Sequence, residues 1–378
     1  MNPRRLLILG VVAVLATSVA VFLANRTTRS TQSADALLYP DLKAQADSVQ
    51  AIRIFQAGDA RAIEIVRAGD TWTLTERNGY PIAAVKARNL VRALASAKVL
   101  EEKTADASKY AALSVEDVSD AEAQGVRIEV EGPASPVNLI VGKSGPGGKS
   151  SYVRRAGEPA SWLVSETLNA SPEPRDWLDK DILDLADDRI QSATISVQGQ
   201  KPYTAAKYAR ADADFKVDSL PKGKALSSTT AANGAGTALM SLSLDDVLPK
   251  AEIASGKPSA QATYKTFDGL VVQLDGFEKD DKRYITLTTS YDAALADRFK
   301  EKPAEDAKAA GDGAKPEAAE GAPVKPEATA LDASLPASAP DIADEAQKTA
   351  AKVGNWAYEI PSYKYDAIFR PLDELLKK

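Results

Sequence analysis

Val126-Arg127-Ile128-Glu129-Val130, followed by Val137-Asn138-Leu139-Ile140-Val141, decides the fold class. Val126, Ile128 and Val130 alternate with charged residues, and Val137, Leu139 and Val141 repeat the pattern. Side chains on an extended chain point alternately to two faces, so each run predicts a strand with one apolar face. The same period of two holds upstream in Ile52 and Ile54, in Ile63 and Ile65, and in Trp72 and Leu74. Gly58-Asp59, Gly69-Asp70 and Asn78-Gly79 punctuate these runs as tight turns, which predicts antiparallel neighbours. Downstream, Tyr152-Val153 and Trp162-Leu163-Val164 extend the meander. Val85 to Val99 changes period: Leu90, Val91, Leu94 and Ala97 fall on one face of a helix. Asp176 to Leu185 predicts a short helix and connector. The expectation is an α+β unit over 49–189, an antiparallel sheet covered by a helix.

The order then recurs over 190–378. Ile190 to Val197 resembles Val49 to Phe55 as an opening strand, and Tyr203 to Val217 supplies the next hairpin. Ala238 to Val247, Ser-rich, stands where the first helix stood. Ala262 to Leu274 and Tyr284 to Thr289 match the later strand pair, and Trp356-Ala357-Tyr358 matches Trp162-Leu163-Val164. Two related β-β-β-α-β-β-β units, each with a covering helix, are expected. The second is interrupted by Glu301 to Pro340, with 13 Ala, 6 Pro, no aromatic residue, and eight acidic against four basic residues. Such a composition buries too little apolar surface to offset chain entropy, so a disordered insertion is expected there.

At the other end, Leu6 to Ala24 runs 19 residues without a charge. As a helix it spans roughly 28 Å, close to the hydrocarbon thickness of a bilayer. Arg4 and Arg5 precede it; Arg26 and Arg29 follow. A transmembrane signal-anchor over 1–26 is expected, with a cytoplasmic N-terminus, followed by a polar tether over 27–48. Ser18-Val19-Ala20 offers the competing reading of a cleaved signal peptide, but it lies inside the apolar run, which is longer than the usual signal core.

Composition excludes several chemistries. The chain of 378 residues has no Cys and no His, which removes disulfides, thiolate nucleophiles, histidine metal sites and Ser-His-Asp catalysis. Its net charge of -6 argues against nucleic acid as a partner.

An ordered series of short motifs carries a family resemblance. It starts with Thr71-Trp72-Thr73-Leu74 and Gly79-Tyr80-Pro81-Ile82, then Lys109-Tyr110-Ala111-Ala112-Leu113. It continues through Ile140-Val141-Gly142-Lys143 and Ser151-Tyr152-Val153-Arg154, and closes on Trp177-Leu178-Asp179-Lys180-Asp181-Ile182-Leu183. In these the chain resembles a bacterial family known as domain of unknown function 4340, best between Val49 and about Ile195. Ala112 departs from the Gly usual in that family. The resemblance implies a membrane-anchored or secreted envelope protein, often accompanying ABC-type exporter components. It supplies no catalytic residues to carry over.

Each remaining motif has a structural reading beside the chemical one. Gly142 to Ser150 contains two Gly-Lys-Ser runs, but the Gly that a phosphate loop needs five residues earlier is Lys143 in one case and Val137 in the other. A strand follows where a helix N-terminus is required, so a hairpin loop is expected. Ser219-Leu220-Pro221-Lys222 fits a Ser-x-x-Lys dyad and Lys143-Ser144-Gly145 mimics its companion box. The order along the chain is reversed, however, and Pro221 and Gly223 break any helix. Asp187-Asp188, Glu101-Glu102 and Asp280-Asp281 are the candidate carboxylates for glycoside hydrolysis or weak calcium binding, against a reading as solvated surface. Trp72, Trp162, Trp177 and Trp356 suit a glycan-stacking surface or, more simply, a sheet core.

Together these readings predict no catalytic, cofactor-binding or metal-binding residues and no cofactor. They predict a single-pass protein of the bacterial inner membrane, held through Leu6 to Ala24, with its main domain outside the cytoplasm. It is expected to act without catalysis as an assembly or accessory component, through a protein partner in an ABC-type exporter. The alternatives are a carboxylate-dependent enzyme acting on cell-wall glycan, and a ligand-binding module with a pocket between the units.

Overall fold

A computed structural model describes residues 36–218, 220–299 and 341–378. The expected anchor over Leu6 to Ala24 and the insertion at 301–340 lie outside the described residues. Among the described residues no helix is long and apolar enough to cross a membrane. The chain is α+β, with two large antiparallel sheets and a few helices. It divides into two compact units after Lys180.

The first unit contains β1 (Ala51–Gln56), β2 (Ala60–Ala68), β3 (Thr71–Leu74) and β4 (Tyr80–Pro81). Helix α1 (Ala84–Ser96) and strand β5 (Val99–Thr104) follow, then the short helix α2 (Tyr110–Leu113). Strands β6 (Val126–Glu131), β7 (Val137–Ser144), β8 (Ser151–Arg155) and β9 (Ser161–Val164) complete it. The nine strands lie in the order β4-β3-β2-β1-β6-β7-β8-β9-β5. Register puts the alternating aliphatics opposite one another: Ile52 pairs with Ile65 and Val130, and Ile54 with Ile63 and Ile128. These side chains are buried on one face, and α1 adds Leu90, Val91 and Leu94, packing near β3 and the 3₁₀ turn Leu42–Ser48. Burying a leucine such as Leu94 is worth about 2–5 kcal/mol against truncation to alanine. The opposite face of β1 carries charge: Arg53 meets Glu64 at 2.8 Å and Glu131 at 2.8 Å, and Arg61 meets Glu64 at 3.0 Å.

Several expectations need correction. The tether expected over 27–48 is packed structure from residue 36 onward. Leu38 donates its N–H to Ala97 O at 2.7 Å, and Leu38 and Leu42 are buried. The helix expected over Val85 to Val99 ends at Ser96, and Val99 already begins β5. The helix expected over Ala238 to Val247 does not form. Ser241 sits there with φ of 47°, a left-handed conformation that no helix interior accepts, and Leu242 and Leu244 are buried on either side of Ser243 in extended chain.

The second unit has β10 (Asp181–Leu183), β11 (Ile190–Val197), β12 (Tyr203–Ala206) and β13 (Lys216–Val217). Helix α3 (Gly234–Thr237) precedes β14 (Leu242–Ser243) and β15 (Asp246–Pro249), and α4 (Lys250–Ile253) precedes β16 (Ala260–Thr266). The hairpin β17 (Leu270–Lys279) and β18 (Lys282–Tyr291) leads to α5 (Ala293–Phe299). Helix α6 (Ile342–Val353), strand β19 (Trp356–Glu359) and helices α7 (Ser362–Ile368) and α8 (Leu372–Leu375) close the unit. Eight strands lie in the order β13-β12-β11-β16-β17-β18-β19-β15, while β10 pairs with β14 in a separate two-stranded sheet. The run expected as one strand over Ala262 to Leu274 is two, broken at Gly269, whose φ is 93°. The covering helix is α6, which packs on β18, Thr289 Oγ1 donating to Ala346 O at 2.7 Å. Tyr264 is fully buried and its hydroxyl donates to Ile368 O at 3.3 Å, pinning α7 to the sheet.

Candidate functional site

The segment 165–180 has no regular strand, yet it is held at both ends. Ser165 and Lys98 exchange hydrogen bonds, Ser165 N to Lys98 O at 2.9 Å and Lys98 N to Ser165 Oγ at 3.1 Å. At the far end Ala83 N donates to Trp177 O at 3.0 Å, and Asp179 N donates to Pro81 O at 3.2 Å. The Tyr80 hydroxyl adds a bond to Asp179 O at 3.2 Å, and Ile82 N donates to Trp72 O at 2.9 Å. The motif string around Tyr80 is thus the backbone partner both of its neighbour Trp72 and of the string around Trp177, nearly a hundred residues on.

Pinned this way, the segment stands beside α1 and leaves a cleft of about 1020 Å³. Its floor is apolar: Leu90 and Ala93 from the helix, Leu168, Ala170 and Trp177 from the segment. Trp177 is buried, and its indole N–H donates to Ser171 O at 2.9 Å. The helix side of the rim carries Lys86, Asn89 and Arg92, and the opposite side carries Glu166 and Asp176. Lys86 Nζ donates to the Asp176 carbonyl, Arg92 to Asn89 Oδ1 at 2.5 Å, and Ser171 Oγ to Asp176 Oδ2 at 2.6 Å. Burial, and then repulsion from Lys180, holds the Lys86 ammonium below the ordinary lysine range.

The other motif strings build a second buried cluster in the same unit. Arg154 is buried, with Nε donating to Val115 O at 2.8 Å and Nη1 to Glu158 O at 3.0 Å. Its guanidinium lies 4.6 Å from the Tyr110 ring centre, and the Tyr110 hydroxyl donates to Pro159 O at 2.6 Å. Gly142 is required for close approach: a Cβ there would collide with the Leu113 carbonyl oxygen.

The residues singled out as possible chemistry are dispersed. Asp187 and Asp188 are exposed in the turn before β11, and Glu101 and Glu102 are exposed on edge strand β5. Asp280 and Asp281 form the two-residue turn between β17 and β18, both left-handed with φ of 51° and 60°, as a type I′ hairpin requires. None of these six carboxylates lines the cleft beside α1. Gly142 to Ser144 end strand β7, and Gly145 to Ser150 form the β7–β8 hairpin loop, which leads into a strand. Lys222 lies in an exposed turn with Gly223 at φ of 78°; Ser219 is outside the described residues. Trp72 and Trp177 are buried, whereas Trp162 and Trp356 are half-buried, and the Arg155 guanidinium lies 5.3 Å from the Trp162 ring centre. Among the described residues no cluster of Asp and Glu is arranged to hold a metal ion.

The second unit holds a groove of about 960 Å³ where Ser259 and Tyr365 share a hydrogen bond of 2.9 Å. Burial pushes the Tyr365 phenol above the ordinary tyrosine range. A Cβ on Gly276 would come 2.6 Å from the Tyr365 hydroxyl, so the close approach of α7 to β17 requires glycine there.

Fold and site together define an α+β protein in which the motif residues Tyr80, Tyr110, Arg154 and Trp177 hold backbone of their own unit. The chain belongs to the family described as Domain of unknown function (DUF4340), whose profile matches residues 72–265, just over half of it. No curated protein and no solved structure matches the chain.

Proposed function

We propose that the protein is a non-enzymatic component of the bacterial envelope that works by contact with a protein partner in an ABC-type transport complex. One observation carries this reading. Four side chains of the family motifs donate to main-chain carbonyls within their own unit: Tyr80 to Asp179, Tyr110 to Pro159, Arg154 to Val115 and Glu158, Trp177 to Ser171. Residues engaged in positioning backbone shape a surface, which is what a contact function needs. The anchor over Leu6 to Ala24 would confine both units beside a membrane partner, with the N-terminus cytoplasmic, and so raise their effective concentration there.

We read the two units as diverged copies of one ancestor. Advancing each strand number by ten converts the order β3-β2-β1-β6-β7-β8-β9-β5 into β13-β12-β11-β16-β17-β18-β19-β15; only β4 has no equivalent in the second large sheet. Identical order through seven successive pairings supports duplication.

The test is complementation of a deletion strain. Replacing residues 1–26 with a cleavable signal peptide releases the units from the membrane. Loss of complementation at normal abundance is expected; full activity of the released chain would overturn the reading.

A further inference from the structure

The ionisable residues of α1 are Lys86, Arg88 and Arg92, a wholly cationic set in a chain whose net charge is -6. Among the described residues none of the three forms an ion pair with a carboxylate: Lys86 bonds a carbonyl, Arg92 an amide oxygen, and Arg88 is exposed. Arg88 and Arg92 are one turn apart on the helix surface, and Lys86 and Arg92 both rim the cleft. A cationic wall over an apolar floor of Leu90, Ala93 and Leu168 suits an occupant with both acidic and apolar groups. The facing wall holds Glu166 and Asp176, which would repel an anionic membrane laid flat across the rim. A narrow segment can turn its carboxylates to the α1 side alone and leave its backbone N–H groups toward Glu166 and Asp176, which a flat anionic surface spanning both walls cannot do.

We propose that this cleft docks an extended acidic segment of the partner protein, with carboxylates at Lys86 and Arg92 and apolar side chains on Leu90, Ala93 and Leu168. The proposal rests on the contact function above and names the chemistry of the contact. An anion at Lys86 would add to the attraction that Asp176 and Asp179 already exert on its charge, against burial and Lys180.

The probe is a fluorescein-labelled peptide of alternating Glu and Leu, measured by anisotropy against the full-length chain in neutral detergent. The wild type is expected to bind it, with affinity falling steeply as salt rises. Lys86→Glu with Arg92→Glu should weaken binding about tenfold or more, as should Ala93→Trp, which fills the floor without changing charge. Circular dichroism checks that both variants fold; if one does not, Arg92→Glu alone, at an exposed position, must still weaken binding. Absence of binding by the wild type, equal binding of a Gln/Leu peptide, or unchanged binding by the folded variants would overturn the proposal. So would displacement of the peptide by phosphatidylglycerol in the micelles through these same cations, since the face would then meet lipid. In cells the two readings separate: if anchor release abolishes function while the cleft variants complement fully, the cleft assignment fails and the contact function stands. If the released chain complements, the contact function fails whatever the peptide does.

Discussion

Arg189 grips Glu345 through two parallel hydrogen bonds, Nη1 to Oε1 and Nη2 to Oε2, each 3.0 Å long. Arg189 Nε also reaches Asp268 Oδ2 at 3.0 Å, so one guanidinium ties β11, the β16–β17 turn and α6 together. All three side chains are about a quarter exposed. Bidentate pairing at that depth is stronger than a surface ion pair. Arg189→Ala and Glu345→Ala should each cost about 1–3 kcal/mol in chemical denaturation. The double variant should cost less than the sum, and strict additivity would show that the pair contributes nothing.

The clamp bears on the insertion. Glu345 and Asp268 fix the start of α6 beside the β16–β17 turn, and Phe299, at the end of α5, packs edge-on against Phe267 in that same turn at 4.9 Å. The described residues that flank the insertion, Phe299 and the start of α6, are therefore held at one place. Replacing 301–340 with a short Gly/Ser linker should leave the Tm nearly unchanged, because loop-closure entropy varies slowly with length. A large fall in Tm would show that the segment packs.

Acid should loosen this corner. Burial raises the Asp268 carboxyl, but hydrogen bonds from Thr266 and Arg189 outweigh that and hold it below the ordinary range. A depressed carboxylate contributes stability that is full above the unfolded value, about 4, and lost as pH falls through the lower folded value. Asp268→Asn should therefore destabilise the protein at neutral pH and flatten the loss of stability below about pH 4. An unchanged acid limb in the variant would contradict this.

Asp280 and Asp281 occupy the hairpin turn with both φ values positive. Changing them to Asn-Gly should raise stability by about 0.5–1 kcal/mol, since that pair suits a type I′ turn better. A fall in Tm would mean that the carboxylates make contacts the turn geometry does not require.

Most of the sheet was legible from the sequence because alternation is a local signal. Ile52, Ile54, Ile63 and Ile65 sit where their period of two puts them. Strand β5 was not legible, because at the sheet edge Leu100, Glu101 and Glu102 are all exposed and nothing alternates. The helix expected at Ala238 to Val247 failed on the left-handed backbone of Ser241, which composition does not announce. The cleft was hidden for another reason: its outer wall is irregular, and Trp177 and Asp179 pair with residues nearly a hundred positions away. Its cations were readable all the same. Three basic residues and no acid along α1 is a sequence fact, and attention to the apolar face alone passes over it.

A protein that works by contact needs no reactive carboxylate, and complementation by single variants distinguishes this from catalysis. Asp187, Asp188, Asp280 and Asp281 are each replaced by Asn, and Glu101 and Glu102 each by Gln. All six variants should complement, because each carboxylate is exposed at a turn or an edge. One such change that abolishes function without lowering protein abundance would contradict the contact function and point to catalysis.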